Sequence, residues 1–187
     1  MKSLGLVNRR ACLAAVVVAF TGAVNTSFAQ STPPEVITEI SGAKLQGQGK
    51  LTYFGLAVYE ARLWVQDGFK ASDALRLPLA LELEYARTLY GNLIADRSLD
   101  EMKRGGEVTD AKAAEWLPQM KTLFADVKKG DRITGVQVPG VATRIFFNGK
   151  LCGEVRDAEF TRLFFGIWLS PRTSEPKLRD ALLGSAR

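Results

Sequence analysis

The chain has 187 residues, with 25 basic against 20 acidic residues, two cysteines and no histidine. Without histidine, a Ser-His-Asp triad, an imidazole general base and a His-ligated metal centre are all excluded. The formal charge of +5 is weighted to the first residues, where Lys2, Arg9 and Arg10 stand before any acidic residue, so the rest of the chain is nearly neutral and gives no support to nucleic-acid binding.

The N-terminus reads as an export signal. After the basic residues comes an apolar run over residues 11–24, then Ser27-Phe28-Ala29, with small residues at the −3 and −1 positions of a signal-peptidase site. The run is shorter than the roughly 20 apolar residues that span a bilayer, so residues 1–29 are expected to be cleaved after Ala29. Arg9-Arg10 lack the surroundings of a twin-arginine signal, and Cys12 has no lipobox before it. Residues 30–187 then form one domain in the periplasm, with no transmembrane segment. Cys152 is left without a partner for an intramolecular disulfide.

Residues 30–35 read as a polar, proline-broken lead-in. Residues 36–40 and 50–54 read as strands, with a Gly47-Gln48-Gly49 turn before the second. Residues 57–65 alternate, with Ala57, Tyr59, Ala61, Leu63 and Val65 on one face. From Leu75 to Arg87 every second residue shares a face, including Leu79, Leu81, Leu83 and Tyr85, and Pro78 argues that the ladder begins after it. Ser98-Leu99-Asp100-Glu101 reads as a capping box opening a helix that Gly105-Gly106 stops. Thr109 or Asp110 caps a second helix bearing Trp116, Met120, Leu123 and Phe124 at helical spacing, kinked or restarted at Pro118. Residues 132–138 and 141–147 read as strands around Pro139-Gly140. Asn148-Gly149 marks a tight hairpin into residues 151–155. Asp157 caps a helix that is apolar nearly all round, so it must be buried. A last helix runs from Ser174, with Pro176 in its first turn, to Gly184. The order of strands, helices, strands and helices predicts an α+β fold, an antiparallel sheet covered on one face by helices.

Four segments taken in order, Gly47-Gln48-Gly49-Lys50, the run Val58 to Trp64, Asn148-Gly149 with Gly153, and Phe164 to Leu169 followed by Leu178 to Gly184, resemble the bacterial chalcone isomerase-like family. The resemblance implies an open-faced β-sandwich with a ligand cleft between sheet and helices. Plant enzymes of that superfamily cyclise chalcones, using an arginine, a threonine and a tyrosine as an anion trap. Other members bind fatty acids without catalysis. Carried onto this chain, the resemblance puts Phe54 at the threonine position, makes Lys50 the nearest cation to the early arginine, and places the tyrosine at or within a residue of Tyr90.

The residues themselves single out Arg87. Strand parity sets it on the face of Leu83 and Tyr85, where a guanidinium must be paired or open to a cleft. It is either a bidentate anchor for an acidic ligand or the partner of a carboxylate at the sheet edge. Tyr85 and Tyr90 bracket it, as hydroxyl donors to an anion or as amphipathic residues at the edge of the core. Tyr59, between Ala57 and Ala61, could border a ligand or an approaching helix, and Lys50 could stand at a cleft mouth or in solvent. Cys152 reads as a small buried filler. The expectation is a protein without cofactor or metal that holds a fatty-acid-like or other apolar carboxylic ligand in the sheet–helix cleft. An isomerase of chalcone isomerase type and an interaction scaffold are the alternatives.

Overall fold

The computed structural model describes residues 31–185, and the export signal read at residues 1–29 lies outside them. Among the described residues the chain forms six strands in one antiparallel sheet whose spatial order follows the sequence: β1 (Lys44–Tyr53), β2 (Leu56–Val65), β3 (Leu79–Tyr85), β4 (Arg132–Val138), β5 (Ala142–Phe147) and β6 (Lys150–Val155). Helices α2 (Gly91–Gly105) and α3 (Asp110–Leu123) leave the sheet between β3 and β4. Those two strands are nevertheless direct neighbours, with Leu83 opposite Ile133. Helices α4 (Ala158–Leu169) and α5 (Pro176–Leu183) follow the last strand.

Period-2 alternation decides the layers. Ala61, Leu63 and Val65 of β2 and Leu79, Leu81, Leu83 and Tyr85 of β3 are buried beneath the helices, in one cluster with Phe160, Phe164 and Phe165 of α4 and Met102 of α2. Helix α4 packs its aromatic side chains onto β4 at Gly135, where even a Cβ would meet them only in ordinary van der Waals contact. A Cβ there would stand 3.4 Å from Phe164 and 3.5 Å from Phe165.

The alternate residues build a second, ionic face. Arg62, 4 % exposed, meets Glu84 at 2.9 Å, Glu60 at 3.1 Å and Glu82 at 3.4 Å. Glu82 also accepts from Trp64 Nε1 at 3.0 Å and Arg132 Nη1 at 3.0 Å. Covering part of this face is α1 (Pro34–Glu39), whose Glu35 accepts from Thr134 at 2.9 Å and whose Glu39 accepts from Arg144 at 2.8 Å. The sheet is thus helix-covered on one face and closed by a short N-terminal helix on the other.

Several local expectations are corrected. Residues 36–40 are not a strand but mostly part of α1: Pro34 suits the first helical turn, and Val36 and Ile40, four apart, both turn onto Trp64 and Val136. The supposed polar lead-in therefore ends in the buried Glu35. Gly47-Gln48-Gly49 is no turn but the middle of β1, and its glycines admit α5. A Cβ on Gly47 would fall 2.2 Å from the Ala181 carbonyl oxygen, and one on Gly49 would fall 2.7 Å from Leu178. Ser98 to Glu101 lies inside α2, which starts at Gly91, so there is no capping box there; Ser98 Oγ instead donates to the Ile94 carbonyl at 2.8 Å. Pro118 sits within an unbroken α3. Cys152 is exposed on the edge strand β6 rather than buried.

Two tight hairpin turns share one backbone shape. Phe54-Gly55 has φ of 48° and 76°, and Asn148-Gly149 has 48° and 85°. Positive φ suits asparagine and glycine but costs about 1–2 kcal/mol for an ordinary side chain.

The expected cap of α4 is present. Asp157 Oδ1 accepts from the backbone N–H groups of Glu159 at 2.8 Å and Phe160 at 3.0 Å, while Oδ2 accepts from Lys112 at 2.6 Å and Trp116 Nε1 at 3.2 Å. Burial alone would raise its pKa, but these donors hold it below the ordinary value. The unfolded chain therefore binds this proton more readily than the native one, and the stabilisation is lost as pH falls through the lowered pKa. Asp157→Ala is expected to cost about 0.5–2 kcal/mol from the cap alone. In Asp157→Asn, the difference in thermal midpoint from the wild type should shrink as pH drops below about 4. A difference that stays constant down to acid would show that the carboxylate charge contributes nothing.

Candidate functional site

Between the sheet and helices α2 and α4 lies a cavity of about 490 Å³. Its floor is Tyr59, Leu83, Tyr85 and Ile133, one residue or two from each of three neighbouring strands. Phe164, Ile167 and Trp168 of α4 form one wall, and Ile94, Arg97, Ser98 and Glu101 of α2 form the other. Tyr53, Arg87, Leu93 and Glu175 also line it, and all four are exposed. The volume falls in the range of about 300–1,000 Å³ typical of small-ligand sites.

Of the residues singled out from the sequence, the fold brings Arg87, Tyr85 and Tyr59 to this cavity. Strand β3 ends at Tyr85, two residues before Arg87, yet the guanidinium still reaches the cavity side and remains exposed. It makes no ion pair among the described residues, so the sheet-edge partner is not found there. Lys50 and Tyr90 do not line the cavity. Leu51 takes the cavity side of β1, so its neighbour Lys50 points the other way, opposite Glu60 of the ionic face. Tyr90 precedes the first residue of α2 and is 59 % exposed. Phe54, at the position the resemblance gives to a threonine, stands at the hairpin tip, 87 % exposed and outside the cavity.

Two phenols meet on the floor. The rings of Tyr59 and Tyr85 pack edge to face with centroids 5.9 Å apart. Tyr59 Oη accepts from Trp168 Nε1 at 2.9 Å and keeps its own proton to donate. Burial pushes the Tyr59 phenol up to about 12 against the lowering effect of Trp168, with Glu175 and Glu101 adding to the rise. Burial, with Tyr59 beside it, drives Tyr85 higher still. Both phenols are therefore neutral donors across the physiological range, and the Tyr85 hydroxyl has no hydrogen-bond partner among the described residues.

Sequence reasoning missed the α2 wall because it began the helix at Ser98. The true start at Gly91 has no side-chain cap from Tyr90; Asp126, distant in sequence, accepts from the Gly91 N–H at 2.8 Å. The signal that could have found the wall is the spacing of Ile94, Arg97, Ser98 and Glu101, which is i, i+3, i+4 and i+7. Glu101 is 6 % exposed and lies at ion-pair distance from Arg97, 2.5 Å, and from Arg104, 3.2 Å, though without hydrogen-bond geometry to either. Arg97 is thus compensated within the site, and Arg87 is the cation left to meet an incoming anion. The arrangement offers an apolar chamber with neutral hydroxyl donors on its floor and a guanidinium at one side. It can hold an amphipathic anion by its head and tail together.

Absorbance near 295 nm tests the phenol states. Up to about pH 11, Tyr59→Phe and Tyr85→Phe should lose none of the tyrosinate signal of the folded wild type. A loss of one tyrosine's signal in either variant below that pH would overturn the assignment.

The sequence profile of the chalcone isomerase-like family matches residues 25–184. An uncharacterized protein of Haemophilus influenzae is 26 % identical over 141 residues, which span 75 % of this chain and 68 % of that protein. Among solved structures, a fatty-acid binding protein of Arabidopsis thaliana superposes with a TM-score of 0.61 at 15 % identity, covering 76 % of this chain and 87 % of the plant chain. The match runs from before the first helix to the end of α5, and the chain belongs to the chalcone isomerase-like family.

Proposed function

We propose that this protein is an exported, non-catalytic binder of a fatty-acid-like carboxylic ligand. The tail lies in the sheet–helix cavity and the carboxylate is held by Arg87. One observation carries the reading: a predominantly apolar chamber reached by a guanidinium that no carboxylate of the described residues neutralises. A carboxylate there would accept two charge-assisted hydrogen bonds from one planar fork. Tyr85, whose hydroxyl has no partner among the described residues, would donate a third along the floor. Burial of the tail adds about 0.8 kcal/mol for each methylene removed from water. The shared fold of the Arabidopsis fatty-acid binding protein supports the reading. Export rests on the basic residues, apolar run and Ser27-Phe28-Ala29 of the N-terminus. Protein recovered from the periplasm should begin at Gln30, and recovery there with Met1 intact would refute cleavage.

Calorimetric titration with palmitic acid and with its methyl ester tests the anchor. Each charge-assisted bond contributes about 1.5–3 kcal/mol, and about 1.4 kcal/mol is tenfold in affinity. Arg87→Ala should therefore bind the acid at least about tenfold more weakly with an unchanged thermal midpoint. Arg87→Lys should recover only part, because it keeps charge without the fork. Equal affinity of wild type and Arg87→Ala, or of acid and ester, would overturn the proposal.

A further inference from the structure

Ten large apolar side chains are more than a third exposed among the described residues, and half of them stand on the two segments that border the cavity's exposed lining. Tyr53, Phe54 and Leu56 form the β1–β2 hairpin tip, at 66 %, 87 % and 59 % exposure, while Tyr90 and Leu93 open α2 at 59 % and 57 %. Tyr53 and Leu93 both line the cavity, so the two segments share its rim.

The tip is not what a tight turn selects. The turn at Asn148-Gly149 has the same left-handed first residue, with φ of 48° in both, and there the chain uses the asparagine that such a turn favours. At the β1–β2 tip a phenylalanine takes the strained conformation, and it packs edge to face on Tyr53, itself exposed, with centroids 4.5 Å apart. Backbone strain and apolar surface left in water are accepted together, with no return in core packing. Of the charged residues lining the cavity, Arg97 is paired with Glu101, and Arg87 is exposed with no ion pair among the described residues. Arg87 emerges beside the hairpin's base, since the Ala86 N–H donates to the Val58 carbonyl at 2.9 Å. Aromatic residues flanked by arginine suit the headgroup layer of an anionic bilayer, where rings bury their apolar body and guanidinium groups meet phosphate.

We propose that the residue 53–56 hairpin tip, with Tyr90 and Leu93 across the cavity rim, docks this protein on an anionic lipid surface. The contact is made by a hairpin tip and the start of one helix, so the attachment is of the interfacial kind, lying on the surface. Docking in this orientation turns the rim toward the acyl layer and spares an apolar ligand passage through water. The surface stands whether or not the cavity holds a fatty acid, because vesicle binding is read without any ligand.

Cosedimentation of the periplasmic form with vesicles of phosphatidylethanolamine and phosphatidylglycerol, against vesicles of phosphatidylcholine, tests this. The wild type should pellet with the anionic vesicles and much less with the neutral ones. Phe54→Asn places the favoured residue in the turn, so its thermal midpoint should hold or rise while vesicle partitioning falls at least about tenfold. Leu56→Gln should weaken partitioning in the same direction. A wild type that stays in the supernatant, or a Phe54→Asn variant that pellets as well as the wild type, would overturn the proposal. So would a protein that self-associates through the tip, with Phe54→Asn abolishing a dimer and leaving vesicle binding unchanged.

Discussion

The structure depends on the alternation along β2 and β3, which gives two buried faces of opposite chemistry. On one face every second residue is apolar; on the other, Glu82 joins Arg62, Trp64 and Arg132 across three strands. Shifting either strand by one residue would place charge beneath the helices and leucine among carboxylates. Breaking half of a buried ion pair costs about 3–5 kcal/mol, whereas the intact pair adds little net stability. The network therefore acts chiefly to fix register, and it dictates which face α2 and α4 cover. It also explains α1: a sheet face holding buried charge needs a cover that brings compensating groups, and Glu35 and Glu39 supply them.

The cavity follows from how α4 meets that apolar face. At Gly135 the aromatic ridge of α4 comes down onto the sheet, with Phe164 stacked on Phe160 at 5.5 Å and set edge to face with Phe165. One turn further on, Trp168 is held by the hydroxyl of Tyr59. Beneath it the sheet presents two tyrosines rather than glycine. Their rings extend the apolar floor and their hydroxyls oblige the space above to offer hydrogen-bond partners. The same helix thus fills the core at one point and roofs an unfilled chamber at another.

Much of this was legible in the sequence. Period-2 runs fixed β2 and β3, Asn148-Gly149 fixed a hairpin, and Asp157 marked the start of α4 through the backbone N–H groups it satisfies. Tyr59 and Tyr85 reach the cavity because parity along paired strands is a local property, whereas Arg87 reaches it from just past the end of β3. What escaped was set by partners distant in sequence. The glycines of β1 read as a turn until α5 is laid against them. The start of α2 relies on Asp126, so Ser98 and Glu101 looked like a cap. Lys50 could not be assigned a face while its strand was taken to begin at that residue. Cys152 lies beside an irregularity in the β5–β6 pairing, where simple alternation no longer predicts burial.

The long excursion between β3 and β4 is pinched at its base. Leu89 and Val127 exchange backbone hydrogen bonds at 3.0 and 2.9 Å, and the Gly91 N–H is tied to Asp126 just above them. Helices α2 and α3 therefore hang from the sheet by a closed neck, and the ladder between β3 and β4 does not depend on how they lie. The excursion is fixed at its far side too, because Met102 of α2 and Trp116 and Met120 of α3 are fully buried in the core shared with the sheet, and Trp116 donates to Asp157 at the start of α4. The chamber wall is thus a loop of chain fastened at two places, and its height above the floor is set between the neck at Leu89 and Val127 and the buried ridge of α3.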